Sequence, residues 1–155
     1  MKDHTERRKR VDIVKLRSVN LVKEGSLFYA KRRITTPSDC VGLLRTYMDG
    51  ADREIFVAVA LDTKKQPTAI QTISIGTLNS APVHPREVFK MAILANADSL
   101  IIAHNHPSGN TRPSKADVTT TERIKECGEL LGITLIDHII VGDEEYTSFM
   151  EEDLI

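Results

Sequence analysis

The sequence has no tryptophan, two cysteines and only 5% aromatic residues in 155 positions. Each scarcity removes a class of protein. Cys40 and Cys127 lie far apart and form no CxxC pair, which excludes a disulfide framework and a thiolate zinc site. No apolar run approaches the roughly 20 residues that span a bilayer, so no membrane partner is expected. Residues 1–8 contain no apolar stretch of the kind a secretory signal needs, and the expected location is cytoplasmic. Repeats and low-complexity tracts are absent. What is present is ordinary globular composition, 41% hydrophobic and 28% charged, in a length that fits one domain with a buried core.

A net charge of −1 conceals an uneven distribution. Residues 1–33 hold eleven Lys/Arg against four Asp/Glu, a balance of +7, and residues 34–155 hold ten against eighteen, a balance of −8. A basic arm of this kind attracts nucleic acid or an acidic surface by long-range steering. Only Phe28 and Tyr29 lie near it, so a platform for stacking bases is missing. A solvated, partly helical extension is the plainer reading, with at most a weak nucleic-acid contact.

The chain divides at Thr35-Thr36-Pro37 into this extension, 1–33, and a domain, 34–155. Ser38 or Asp39 is suited to cap a helix that carries Val41, Leu43, Leu44 and Tyr47 and ends at Asp49-Gly50. The apolar run Glu54–Leu61 reads as a buried strand, Lys64–Pro67 as a turn, and Ala69–Ile75 as a strand with one buried face. Pro85 opens a second helix, with Glu87 in its first turn. Ser99–Ala103 is a buried strand that delivers His104 to a turn-rich loop, Pro107–Pro113. A third helix runs from Ser114 to about Leu131 and stops at Gly132. Ile133–Val141 and a short segment within Glu145–Met150 complete the strands. Such alternation implies a layered α/β sandwich.

His104 and His106 lie two apart at the end of an apolar strand, where side chains i and i+2 share a face. That brings two imidazoles together, as zinc requires. Ser114-x-x-Asp117 follows at a helix start, the spacing of a capping box. The same aspartate is also well placed as a third ligand, and two histidines with one carboxylate leave a fourth tetrahedral position for water, as in catalytic zinc sites. For Asp137-His138 two readings stand: a pair that orients a ligand histidine, or a satisfied pair inside the core. His4 and His84 receive no role.

The segment His104-Asn105-His106-Pro107-Ser108-Gly109 with Ser114-x-x-Asp117 resembles the JAMM (MPN-type) metallopeptidase motif, and more narrowly the RadC family, over roughly residues 36–150. Arg53–Phe56, Gly76-Thr77-Leu78, His84–Lys90 and Asp137–Val141 carry the resemblance further. It implies a mixed β-sheet flanked by helices in a cytidine-deaminase-like sandwich, with one Zn2+ held by His104, His106 and Asp117. It also implies hydrolysis of a peptide or isopeptide amide in a protein or peptide substrate. JAMM proteins use an upstream glutamate on an early strand as general base, and Glu54 fits that place. Glu87 is its rival, although a helix first turn already explains a carboxylate there. Ser114 matches the serine whose hydroxyl can hydrogen-bond the oxyanion of a tetrahedral intermediate.

Longer RadC proteins carry a helix-hairpin-helix region associated with DNA binding. Residues 1–33 are too short for it and lack its Gly-rich hairpins, so the link between RadC proteins and DNA repair transfers poorly. This form resembles short RadC-like proteins made of the MPN domain alone. Two competing functions remain: a nucleic-acid-associated protein that uses the basic arm and a non-catalytic zinc, and an MPN scaffold without catalysis. The second is weakened because every expected ligand and base position is filled. Amidohydrolase barrels also carry HxH after a strand but need roughly 250 residues, and zinc deaminases need a Pro-Cys-x-x-Cys that is missing here.

Overall fold

Burial of one strand on both faces organises the fold. Ile55–Leu61, β1, is apolar throughout, and all its residues but the first are buried. A continuous apolar run of this kind suits a strand covered by helices on both sides. The computed structural model describes residues 18, 20–76 and 83–155. The other elements are α1 (Pro37–Met48), β2 (Pro67–Ile75), α2 (Pro85–Leu94), β3 (Ser99–Asn105), α3 (Lys115–Leu131), β4 (Thr134–Val141) and β5 (Tyr146–Ser148). The sheet order is β2-β1-β3-β4-β5. β1 is antiparallel to β2 and β3, β3 is parallel to β4 through the α3 crossover, and β5 returns antiparallel to β4. The expected mixed, layered α/β fold is therefore observed.

Two cores lie on opposite faces of the sheet. On one face Val57, Val59, Leu61, Ile101, Ala103, Ile139 and Val141 pack under Leu43, Leu44 and Met48 of α1. On the other, Phe56, Ala58, Ala60, Leu100 and Ile102 meet Val88, Phe89, Met91 and Ala92 of α2 and Ile124 of α3. α3 buries only Thr121, Ile124 and Gly128, a narrow stripe at helical spacing. No helix among the described residues is long and apolar enough to cross a membrane.

Several boundaries differ from the sequence reading, each for a local reason. α1 is capped by Thr36, not Ser38 or Asp39. Pro37 has no N–H to satisfy and a φ suited to the first helical position, so the helix begins there. Asp39 thereby falls at the third helical position. Its Oδ2 accepts from Thr35 N (2.9 Å), Thr35 Oγ1 (2.8 Å) and Thr36 N (3.0 Å). The Lys31 ammonium, 2.6 Å from Oδ1, is the main cause holding this carboxyl well below the usual range, followed by the Thr35 bonds. β1 begins at Ile55, leaving Glu54 at its lip, and β2 begins at Pro67, since an edge strand tolerates proline in first place. The last strand shortens to Tyr146–Ser148.

The expected partly helical extension lies largely outside the described residues. Residues 20–33 carry neither helix nor strand. Their C-terminal end is tied to the β1–β2 turn: Arg32 Nε donates to Gln66 Oε1 (3.0 Å) and Arg33 Nε to the Lys64 carbonyl (2.9 Å).

One irregularity in β4 matters for the site. Leu100 pairs with Leu135 but Ile101 pairs with Asp137, so Ile136 is an extra residue, a bulge. Strict alternation from Leu135 would send His138 toward α1. The bulge reverses the phase, placing Asp137 on the α1 face beside Ile101 and His138 on the opposite face beside Ile102.

Gly132 ends α3 in the left-handed conformation, φ 70°, as expected, and Ile133 N donates back to the Gly128 carbonyl (3.0 Å). A Cβ on Gly128 would stand 2.4 Å from the Ile133 carbonyl oxygen. Alanine's helix preference of about 1 kcal/mol over glycine is outweighed, because the obstructing atom is backbone. Gly128→Ala is expected to destabilise by roughly 1–3 kcal/mol. A lowered urea midpoint with an unchanged slope checks this.

Candidate metal centre

β3 carries His104 into the middle of the sheet, where it pairs with Phe56 on one side and Ile140 on the other. Its side of the sheet is covered by α2 and α3, and the residue is 0% exposed. His106 lies just past the strand end, held by its N–H on the Val141 carbonyl (3.0 Å). The two rings converge as the i, i+2 spacing requires, with Nε2 atoms 3.0 Å apart.

Asp117 stands at the third helical position of α3. The capping reading is observed through one oxygen, and the other is left for the candidate centre. Oδ2 accepts the Ser114 N–H at 2.7 Å, while Ser114 Oγ accepts the Asp117 N–H at 3.1 Å, completing the capping box. Oδ1 is left facing His104 Nε2 at 3.3 Å. The candidate ligand atoms of His104, His106 and Asp117 all lie within 4.8 Å of one another.

The hydrogen-bond partners fix where the ring protons sit. Thr121 Oγ1 is 2.7 Å from the Asp117 carbonyl, which can only accept, so the single hydroxyl proton points there. Thr121 Oγ1 must then accept from His138 Nδ1, 2.6 Å away. Burial holds the His138 pKa well below its ordinary value, with the neighbouring His104 and His106 acting the same way. The ring is therefore neutral, and its Nε2 carries a lone pair. That lone pair takes the proton of His104 Nδ1 at 2.8 Å. Burial also pulls His104 down to about 4, against the opposing charge of Asp117, so His104 is neutral and its Nε2 is bare. On the other side the Asn110 carbonyl can only accept, so His106 Nδ1 donates to it (2.5 Å), and Nε2 is the nitrogen turned toward His104.

Two ring nitrogens thus face each other with a carboxylate oxygen beside them. This donor set suits one divalent cation. Donors about 2.0–2.1 Å from a tetrahedral zinc stand about 3.3 Å apart, close to the 3.0 and 3.3 Å observed. The surrounding packing is aromatic: Phe56 stacks on His104 (centroids 5.9 Å, 10°) and Phe149 on His138 (4.6 Å, 24°). Gly142 supports the His106 loop, since a Cβ there would lie 2.6 Å from the Gly109 carbonyl oxygen.

The remaining expected residues divide. Glu54 is half-buried at the lip of β1. Burial raises its pKa, the charge of His106 opposes that, and Asp117 raises it further, so its carboxylate is electrically coupled to the centre. Among the described residues no acceptor takes the Ser114 hydroxyl proton. Glu87 lines a separate groove with residues 20–27 and β2, and His84 Nδ1 caps α2 by accepting from Arg86 N (3.1 Å).

The Asp137-His138 pair is split by the bulge. His138 supports His104. Asp137 faces away from the ligands and binds Ser148 Oγ (2.6 Å), Met150 N (3.0 Å) and the His138 N–H (2.8 Å), which fixes the C-terminal turn. The sequence reading missed Thr121. Its one local signal is the i, i+4 spacing from Asp117, which lets a helical threonine reach that carbonyl.

Two outcomes follow for the metal-free protein. Thr121→Val leaves the His138 Nδ1–H without an acceptor and is expected to cost about 1–3 kcal/mol, whereas Thr121→Ser keeps most of the stability; thermal unfolding of both variants checks it. The lowered pKa of His104 means that the unfolded chain binds more protons between its ordinary value near 6.5 and about 4. Stability from this group is therefore complete above the unfolded value and lost as pH falls toward the folded one. Urea midpoints in chelator should drop from pH 7 to pH 5, by roughly 2 kcal/mol from His104 alone.

Comparison with known proteins identifies the family of the folded domain. A family model described as a RadC-like JAB domain matches residues 34–154. A UPF0758 protein of Staphylococcus haemolyticus is 50% identical over 125 residues, covering 81% of this chain and 55% of the relative. One from Desulforamulus reducens is 51% identical over 122 residues, 79% and 54%. One from Methanosarcina acetivorans is 46% identical over 125 residues, 81% and 55%. The chain spans about half the length of these curated relatives. With the match running across nearly all of its folded part, the chain belongs to the RadC family, through a RadC-like JAB domain.

Proposed function

We propose that this chain is a zinc-dependent hydrolase of an amide bond in a peptide or isopeptide, with His104, His106 and Asp117 as the ligands and Glu54 as general base. The observation that carries the reading is the convergence of two imidazole nitrogens and one carboxylate oxygen beside a half-buried glutamate. A capping box alone needs no imidazoles.

Zinc held there supplies Lewis-acid chemistry, making water nucleophilic near neutral pH and polarising the amide carbonyl. The protein's own groups do the rest. The Glu54 carboxylate takes the proton from the attacking water and passes it to the leaving amine nitrogen. Burial keeps that carboxyl's proton affinity above that of a solvated glutamate, which suits a group that must both accept and release. The Ser114 oxygen already accepts the Asp117 N–H, leaving its hydroxyl proton for the developing oxyanion. His138 and Thr121 hold His104 in the tautomer that presents Nε2.

Near-stoichiometric zinc is expected in the wild type, with occupancy lost in His104→Ala and His106→Ala and lowered in Asp117→Asn. Metal analysis that finds zinc retained in both histidine variants refutes the ligand assignment. Glu54→Gln should keep fold and zinc while turnover of a screened peptide falls ~100- to 10,000-fold. Glu87→Gln, in the separate groove, is the control and should leave turnover nearly unchanged; the reverse result would reassign the base.

A further inference from the structure

Asn105 lies between the two ligand histidines, and the reaction above gives it no task. The β1–β3 ladder runs from Leu61–Ser99 to Phe56–His104 and stops there. One residue further on, Ile55 still pairs with Ile75 of β2, and Asn105 still pairs with Val141 of β4. Between them no backbone rung is made.

The Asn105 carboxamide fills that gap. Its Oδ1 accepts the Ile55 N–H at 2.7 Å, and its Nδ2 donates to the Arg53 carbonyl at 3.0 Å. The chemistry of the two partners fixes the orientation of the amide, since an N–H must meet oxygen and a carbonyl must meet NH2. A carboxamide offers one acceptor and a donor in a plane, as a peptide group does, so the side chain serves as the missing rung. The two groups it grips flank Glu54. From the other side, Gly76 N donates to the Glu54 carbonyl at 2.8 Å. Residues 53–55, where β1 begins, are thereby held by three bonds, two of them from one side chain on the strand of His104.

We propose that Asn105 is a positioning residue for Glu54, locking the glutamate's backbone to the strand that carries His104 and His106 so that its carboxylate keeps a set distance from the metal. The proposal rests on the reading of the centre as a metal site with Glu54 as its base. Asn105 itself touches neither. Aspartate at this position keeps the acceptor for Ile55 but loses the donor to Arg53. Alanine loses both.

The test uses the full chain, isotope-labelled, with and without cobalt(II) in place of zinc. In the metal-free state Asn105→Ala should speed amide exchange at Ile55 roughly tenfold or more, the scale of one lost hydrogen bond, with Val57 unchanged. Asn105→Asp should retain protection at Ile55. Zinc affinity should stay within about threefold of wild type in both variants, because no ligand or its hydrogen-bond partner is altered. With cobalt(II) bound, the Glu54 carboxyl carbon should show a defined paramagnetic shift in the wild type, a smaller averaged one in Asn105→Ala, and an intermediate one in Asn105→Asp.

Unchanged Ile55 exchange and an unchanged Glu54 shift in Asn105→Ala overturn the proposal. So does a loss of zinc affinity with the Glu54 shift preserved, which would make Asn105 a support for the ligands instead. If cobalt(II) shifts no resonance of the wild type, the metal reading fails on its own, and the exchange rates still decide whether Asn105 grips the Glu54 segment.

Discussion

His104 has no solvent contact, and a buried imidazole must find partners for both of its nitrogens or lose the free energy of their hydration. One nitrogen is satisfied inside the protein, by His138. The other is turned toward His106 Nε2 and Asp117 Oδ1, 3.0 and 3.3 Å away. That asymmetry organises the rest. It requires His138 to be neutral, which burial ensures, and it requires an acceptor for the far side of His138, which Thr121 provides. Thr121 can accept only because its own proton is committed to the Asp117 carbonyl. The backbone of Asp117 and the ring of His104 are thus joined through Thr121 and His138. A single change of tautomer anywhere in this series would put a proton where the cation is expected.

The same residues carry both folding and chemistry. Asp117 starts α3 with one oxygen and faces the histidines with the other. α3 is the crossover that makes β3 and β4 parallel, and that parallel pairing sets His138 beside His104. Secondary structure, sheet topology and ligand geometry therefore share a few contacts, and the site is assembled on rigid elements with only His106 on a loop.

Much of this was legible in the sequence because it is local. Two histidines at i, i+2 on a strand, a Ser-x-x-Asp at a helix start and a glycine after Leu131 each encode their geometry within a few residues. The α1 cap was misplaced by two or three residues, because Thr36, Ser38 and Asp39 are all competent caps and only the demand of Pro37 for the first helical position separates them. Thr121, Asn105 and the split of Asp137 from His138 were illegible for a different reason. Each depends on contacts across 17 to 52 residues of chain, or on an extra residue in β4 that no alternation rule anticipates. Pattern reading assigns faces by counting in twos, and at Ile136 the count is broken.

That extra residue is slack in the strand. Leu135 and Asp137 already take consecutive places against Leu100 and Ile101, so the faces beyond it do not depend on Ile136 being there. Removing Ile136 would straighten β4 and leave Asp137 directly after Leu135, with the carboxylate still on the α1 face and the imidazole still beside His104. Conservative replacements along the same stretch would leave both where they are. Loss of that one residue is therefore a permitted change, whereas a strand that took Ile136 into the ladder would reverse its inside and outside.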